Sequence, residues 1–382
     1  MHPAKIDRLE CYVYRAPTDL PLRTSFGMLT DRPATFVRVI ADDGAFGWGE
    51  VFSNFPQVGA EHRARLISSI FSPLLTGRPC DAPADTWQWL ERSVRRIAIQ
   101  CGEPGPFAQI IGAIDQALWD MLARRCGLPL WKLLAQEIPI TDEHATGRVR
   151  VYASGLGPTA VGAMAAERQA QGYRAFKFKV GFGAQTDLHN FREIRDAVGS
   201  DAIVMVDTNQ GWDPQDAAAR ITELLPYSPT WIEEPIPADE PIETWQALAK
   251  ATGAPIAAGE NIRGFDNFAQ ALRAGHLRFV QPDVAKWGGI SGCLQVGLLA
   301  RELGVEFCPH WLGGGVGLAA SLHLRASLGE RGWAEVDANP HPLREAVCPL
   351  EVRDGWVQMP DTPGIGVDPT LCGIDAYRVA LA

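Results

Sequence analysis

Three short runs decide the fold: Ala175-Phe176-Lys177-Phe178-Lys179-Val180, Ile203-Val204-Met205-Val206-Asp207 and Thr230-Trp231-Ile232-Glu233. Each is apolar, strand-forming and closed or followed by a charged residue. Residues i and i+2 of a strand face the same way, so Lys177 and Lys179 point together while Phe176, Phe178 and Val180 take the other side. That interleaving marks a strand inside a core and not a solvated basic patch. Polar residues recur at the same place in later runs: Glu260 after Ala257-Ala258-Gly259, Asp283 after Gln281-Pro282 and His310 after Cys308-Pro309. From Lys179 to His310 these positions are spaced 23–28 residues apart, about one βα unit. They hold equivalent places at the carboxyl ends of successive strands.

Outward from this core, strands are predicted at 148–153, 175–180, 203–206, 230–232, 255–258, 278–280, 305–308 and 333–336, with helical stretches between most of them. Strict alternation implies parallel strands and right-handed crossovers. About eight strands suit a closed barrel, although the pattern alone also fits an open doubly wound sheet. Residues before 148 read as mixed α+β. Strands are expected at 6–14 and 35–41 with a turn at Asp42-Asp43-Gly44, and helices at 60–75, 84–98 and 107–124. The last helix carries Ile110, Ile111, Ile114, Leu118, Met121 and Leu122 on one face, and Gly127-Leu128-Pro129 stops it. The final thirty or so residues do not continue the repeat and are expected to return to the first domain. The organisation expected is a cap of residues 1–130, completed by 346–382, and a barrel of residues 131–345.

Bulk properties agree. The 382 residues exceed a lone barrel of roughly 200–250. With 46% hydrophobic and 21% charged residues the chain has ample material for a core. A net charge of −10 argues against nucleic-acid binding but not against a small anionic substrate, since one cleft can reverse the field locally. The eight cysteines are scattered without a CxxC pair, as expected for reduced thiols in a cytoplasmic protein. No run approaches the ~20 apolar residues of a membrane span, and the first fifteen residues lack the apolar core of a signal peptide.

The chemistry is carried by the ring of strand-end residues. A single Asp or Glu after a strand is ordinarily a helix N-cap. Three in successive units, Asp207, Glu233 and Glu260, would converge and repel unless a cation lies between them. Oxygen donors without His or Cys favour Mg²⁺. Asp207-Thr208-Asn209-Gln210-Gly211 resembles the opening of an EF-hand, but Ala218 stands where that loop needs its bidentate Glu. A buried Lys179 beside Lys177 has its pKa lowered and is prepared as a base. Asp283 can fix the tautomer of His310 and raise its basicity. Lys286 could cap its loop, pair with Asp283 or border the substrate. Glu335 could act at the substrate carboxylate, and Asn209 could bind a substrate oxygen.

Two other motifs point elsewhere. Gly155-Leu156-Gly157-Pro158-Thr159-Ala160 has the form of a dinucleotide-binding turn. The next strand ends in Lys177 and Lys179 and not in the required acid, so Pro158 is expected to open a helix instead. Gly313-Gly314-Gly315 lacks the following Lys-Ser/Thr of a P-loop and reads as a close-approach turn near the barrel mouth.

Taken in order, Lys177-Phe178-Lys179, Val206-Asp207-Thr208-Asn209-Gln210, Trp231-Ile232-Glu233-Glu234-Pro235, Gly259-Glu260-Asn261, Gln281-Pro282-Asp283-Val284-Ala285-Lys286 and Pro309-His310 resemble the mandelate racemase subgroup of the enolase superfamily. So does Ala113-Ile114-Asp115-Gln116-Ala117-Leu118-Trp119-Asp120 with Gly127-Leu128-Pro129. The resemblance covers nearly the whole chain. It implies an α/β fold, a modified (β/α)₇β TIM-type barrel under an α+β cap. It implies Mg²⁺ on Asp207, Glu233 and Glu260, with Glu234 a neighbour and not a ligand. It implies Lys179 as base on one face of the substrate, with Lys177 lowering its pKa, and the His310–Asp283 dyad on the other. The muconate-lactonizing branch carries a lysine where this chain has Asp283. Specificity would come from the cap segments 23–32 and 52–62, with Phe26 and Phe55 as substrate-binding candidates beside Asn209 and Lys286. The implied activity is removal of the proton α to a carboxylate, giving an enediolate. Dehydration of an aldonate or aldarate to a 2-keto-3-deoxy acid ranks first. Racemisation or epimerisation of a 2-hydroxy acid ranks second, and cycloisomerisation of a sugar lactone third. A homo-oligomer, octamer or dimer, is implied as well.

Overall fold

The computed structural model describes residues 4–24, 27–138, 145–368 and 370–380. The chain opens with three antiparallel strands, β1 (Ile6–Thr24), β2 (Gly27–Ala41) and β3 (Phe46–Val51). The turn after β2 closes as its residues require. Gly44 takes φ 85°, and the Ala45 amide donates to Asp43 Oδ1 at 3.0 Å. β3 is absent from the strands predicted above because Gly47, Gly49 and Glu50 interrupt its strand-forming residues Phe46, Trp48 and Val51. Its glycines serve a close approach. A Cβ on Gly47 would stand 2.0 Å from the Ala117 carbonyl oxygen, and one on Gly49 1.9 Å from that of Ala113.

Both carbonyls belong to the helix Pro104–Arg125, which is buried on nearly all sides and is not simply amphipathic as its apolar stripe suggests. Its buried polar residues satisfy backbone groups of three neighbours. Asp120 accepts from Trp48 at 2.9 Å and from Ile365 of the C-terminal tail at 2.7 Å. Gln116 bridges β3 and the Val284 carbonyl, and Asp115 accepts from the Ser291 amide at 2.8 Å.

Eight parallel strands follow: β4 (Arg148–Leu156), β5 (Ala175–Lys179), β6 (Ile203–Asp207), β7 (Ile232–Glu233), β8 (Ile256–Ala258), β9 (Leu277–Val280), β10 (Glu306–Phe307) and β11 (Ala334–Asp337). A helix follows each of the first seven, which is the (β/α)₇β arrangement. Ladders run in order from β10 down to β4 and on to β11. The Trp333 amide, just before β11, reaches the Cys308 sulfur just after β10 at 3.4 Å. The tail first adds β12 (Trp356–Gln358) antiparallel to β4. It then meets the first domain, where Val379 donates to the Val13 carbonyl at 2.8 Å. Among the described residues no helix is long and apolar enough to cross a membrane.

The barrel floor is a separate apolar cluster with one residue from, or flanking, each strand: Tyr152, Ala175, Met205, Trp231, Ala257, Phe279, Cys308 and Trp333. Its rings interlock, with Trp231 lying 5.2 Å from Tyr152 and 5.0 Å from Phe279 between centroids. Period two then dictates what stands above. Two residues on come Ser154, Lys177, Asp207, Glu233, Gln281, His310 and Glu335, and all seven are buried. Two further on come Lys179, Asn209, Asn261, Leu312 and Asp337, all on the wall of one cavity.

Glu50 joins cap to barrel. From β3 it accepts the amides of Gly314 and Gly317 at 2.5 and 2.8 Å, at the start of the helix Gly315–Ser327. The triple glycine is thus a close-approach turn, since a Cβ on Gly314 would stand 2.9 Å from Glu50 Oε1. Burial pushes the Glu50 carboxyl up to about 8, against the pull of the two amides. A raised acid contributes stability that is full below the ordinary carboxyl range and is lost as pH rises toward that value. The stability gap between wild type and Glu50→Ala, read by urea unfolding, is therefore expected to be larger at pH 5 than at pH 8.5. An equal or reversed gap would refute this account.

Candidate active site

The sheet register sets the first acids side by side, with Lys179 paired to Asp207 and Asp207 to Glu233. Lys177, only 1% exposed, lies 2.5 Å from Glu233 Oε1, 2.9 Å from Glu335 Oε1 and 3.6 Å from Asp207 Oδ2. Burial pulls its ammonium down, but Glu233, Glu335 and Asp207 together carry it well above the ordinary lysine range. Glu233 is fixed further by Trp231 Nε1 at 3.0 Å and Gln281 Nε2 at 2.6 Å. Burial and then the neighbouring Asp207 push its carboxyl up to about 8.

Lys179 reaches the cavity and lies 2.6 Å from Asp207 Oδ2. Burial and Lys177 lower its pKa, as expected from the sequence. Asp207 outweighs them, so the net shift is upward and the expected depression is not found in this arrangement. The Asn209 backbone, at φ 47°, turns its amide onto Asp207 Oδ1 at 2.8 Å and its side chain onto Oδ2 at 3.1 Å.

Glu260 breaks the period-two order. Gly259, at φ 153°, packs against the Gln281 backbone, where a Cβ would stand 2.6 Å from the nitrogen, and the next side chain turns inward. Glu260 Oε2 lies 2.7 Å from His310 Nε2, and Oε1 lies 3.0 Å from Lys286 Nζ. Burial raises its carboxyl, yet His310 and Lys286 bring it well below the usual range. His310 Nδ1 meets Asp283 Oδ2 at 2.6 Å, and the other Asp283 oxygen accepts the Ala285 and Lys286 amides. Burial lowers the imidazole, while Glu260, Glu335 and Asp283 lift it well above its ordinary value. Glu335 also accepts from the Trp311 amide at 3.1 Å and from the Ser154 hydroxyl. Glu234 stays beside Glu260 without joining the ring, held through both oxygens by Asn261.

These groups border a cavity of about 890 Å³ between barrel and cap. The structure brings Lys179, Glu260, Lys286, His310, Glu335 and Asn209 to its wall, with Asp207, Glu233, Asp283 and Lys177 behind them. Lys286 does not pair with the Asp283 side chain. Its ammonium bonds Glu260 and Asn261 and lies over Phe52. Asp207 and Glu233 stand side by side, and Glu260 is turned toward His310 and Lys286. Among the described residues no three Asp, Glu, His or Cys groups form a ready-made metal cage, because each acid leans on a cationic neighbour.

Of the cap segments, Phe52, Phe55 and Pro56 line the cavity. Phe26 lies outside the described residues. The stretch 27–32 is not loop but part of β2, and it contributes Leu29 and Arg32. Pro158 does not open a helix at its first position, since the helix begins at Val161 and Pro158 lines the cavity. Arg32, Ser154, Asp337 and Asn339 were missed by sequence reasoning. Parity above the floor, Ser154 two beyond Tyr152 and Asp337 two beyond Glu335, is the signal that would have found two of them.

A barrel whose strand ends carry an acid–base ring beneath a separate cap defines an enzyme of the enolase type. Comparison with known proteins agrees. Residues 8–135 match the mandelate racemase / muconate lactonizing enzyme N-terminal domain, and residues 160–371 match the enolase C-terminal domain-like family. The chain belongs to the mandelate racemase subgroup of the enolase superfamily, and it is an enzyme of the lyase or isomerase kind. It is 28% identical to D-galactarolactone cycloisomerase of Agrobacterium fabrum, over 98% of this chain and 99% of the other. It is 33% identical to L-talarate/galactarate dehydratase of Salmonella typhimurium, over 94% and 88%. Among solved structures, a mandelate racemase/muconate lactonizing enzyme from Bordetella bronchiseptica superposes with a TM-score of 0.90 at 43% identity, covering 98% of this chain and 99% of the other. A racemase from Streptomyces coelicolor with bound magnesium gives 0.85 at 28% identity, covering 98% and 100%.

Removing Lys177 would strand Glu233 and Glu335 in the barrel interior. Lys177→Met is expected to destabilise the fold by about 3–5 kcal/mol, the cost of breaking a buried ion pair from one side. Chemical denaturation measures it. A loss well under 1 kcal/mol would mean the ring does not depend on that ammonium.

Proposed function

We propose that this enzyme removes the proton α to the carboxylate of a small sugar acid, with Mg²⁺ as cofactor, and then expels the β-hydroxyl to give a 2-keto-3-deoxy acid. One observation carries the reading: the amine of Lys179 and a carboxylate-oriented imidazole, His310, reach a single cavity from well-separated strands. The donor set suits the metal. Asp207, Glu233 and Glu260 offer only oxygen at the ends of three successive strands, and each feels the others' negative charge, although Lys179 and Lys177 bring Asp207, and His310 and Lys286 bring Glu260, below the usual carboxylate range. These three would hold the ion, which when bound supplies Lewis-acid stabilisation of negative charge on the substrate carboxylate.

The remaining work falls to the chain. Lys179, as the neutral amine, takes the α-proton and becomes the ammonium, and the C–H electron pair becomes the new double bond as the C–O bond at the β-carbon breaks. His310, protonated and held by Asp283, gives its proton to the departing oxygen, which leaves as water. The enol product then becomes the keto acid. Glu335 steadies Lys177 and His310, and Asn209, Lys286 and Phe55 are placed to contact the substrate. A second reading rests on the likeness to the galactarolactone enzyme along nearly the whole chain. Were the β-oxygen tied into a lactone, the same elimination would open the ring without losing water, an isomerisation.

Incubation in D₂O with Mg²⁺ and a library of sugar acids and lactones tests both readings. Deuterium is expected at C3 of the keto acid, and at the α-carbon of recovered substrate where proton removal reverses, together with a product lighter by one water for an open acid or isomeric for a lactone. Lys179→Ala and His310→Asn should each lower turnover by roughly 10²–10⁴-fold. EDTA should abolish turnover, and added Mg²⁺ should raise the thermal midpoint of the free protein. A library-wide failure either to exchange the α-proton or to turn over would remove the proposal's support.

A further inference from the structure

The cavity has a second charged end that the chemistry above does not use. Asp337 lies two residues beyond Glu335 on β11 and faces the same way, so it stands ~6–7 Å higher, toward the cap. Arg32 reaches down to it from β2 and donates through Nη2 to Asp337 Oδ2. Arg344 Nη1 lies 3.3 Å from the same oxygen. The other oxygen is occupied by Asn339, which donates from its amide at 3.0 Å and its side chain at 2.8 Å. Asp337 is therefore fully engaged and cannot turn to a ligand.

The two guanidiniums are not engaged to the same degree. Both are buried and share a single buried carboxylate. Glu345, at 3.1 Å from Arg344 Nη2, is exposed and screened by water. An arginine presents five N–H donors. Arg32, which lines the cavity, leaves its Nε without a partner, and Arg344 leaves Nη1 without a hydrogen bond. His341 packs behind them with both ring nitrogens unpartnered. Burial, then Arg32 and Arg344, hold it well below its usual range, so it adds no counter-charge or positive charge of its own. The cavity thus offers one anion-binding end at the floor, with lysines and imidazole, and a second under the cap, with Arg32.

We propose that Arg32 binds the distal carboxylate of the substrate, so that the natural substrate is an aldarate, open or as its lactone, and not an aldonate. This rests on the sugar-acid reading above and sharpens it. A guanidinium held rigid by Asp337 and short of acceptors suits a planar carboxylate better than a neutral hydroxymethyl group.

The test pairs six-carbon aldarates with the matching aldonates, in which one terminal carboxylate is replaced by hydroxymethyl. It follows α-proton exchange and turnover for wild type, Arg32→Met and Arg32→Lys. Wild type should favour the diacids by roughly 10–100-fold in kcat/KM, the worth of one charge-assisted hydrogen-bonded contact. In Arg32→Met that ratio should fall toward one, chiefly through a raised KM for the diacids, and Arg32→Lys should keep part of it. Should Arg32→Met not fold, competitive inhibition of wild type decides, and dicarboxylates must then bind more tightly than monocarboxylates of equal length. No preference in wild type, or an equal loss on both classes in Arg32→Met, would overturn the assignment while leaving the sugar-acid reading standing. Exchange with neither class would overturn both together.

Discussion

Lys177 sits where water does not reach, with Glu233, Glu335 and Asp207 around its ammonium. Every other feature of the site depends on that compensation. Charges in a low-dielectric interior interact strongly, so a ring of acids there is tolerable only when each has a partner of opposite sign. The apolar floor makes the interior dry, and the ring one step above it makes the dryness useful. Floor and ring are made by the same strands, two residues apart, so neither can shift without the other.

That coupling explains what the sequence could reveal. All eight barrel strands were legible as short apolar runs, and from the second to the seventh a polar residue ends or follows each at a regular interval. The ring from Lys179 to His310 was legible from that interval, and so was the pairing of Asp283 with His310, while the distinction between Glu234 and the acids beside it came from the family resemblance. Boundaries slipped by a residue or two, and by three at the end of β4, so that Asp207 and Glu233 end their strands and do not follow them.

What stayed hidden has physical causes. β3 reads as loop because its glycines answer to a helix backbone far along the chain, and local propensity carries no trace of that partner. The helix Pro104–Arg125 shows an apolar stripe, but Asp115, Gln116 and Asp120 are buried too, each answering amides of other elements. The ion pair of Arg32 with Asp337 joins residues 305 apart, and no motif announces it. The direction of the Lys179 shift was also out of reach. The sequence shows a second lysine nearby, but only coordinates show that Asp207 lies closer and prevails.

Reaction and choice of substrate are written on different parts of the chain. Every residue proposed to move a proton comes from a barrel strand or the turn after it. The cap offers the cavity mostly apolar wall, through Leu29, Phe52, Phe55 and Pro56, with Arg32 as its charged exception. A cap free to swing would position nothing, and this one is tied down by buried polar contacts, Glu50 to the helix at Gly315 and Arg32 to Asp337. Arg32 therefore stands at a junction. The carboxylate that anchors it lies on the same strand as Glu335, two residues above the ring. The group that would read the far end of the substrate is thereby held in register with the groups that act on the near end. Such a fixed distance lets binding at one end orient the α-carbon at the other, which a flexible lysine on a cap loop would not do.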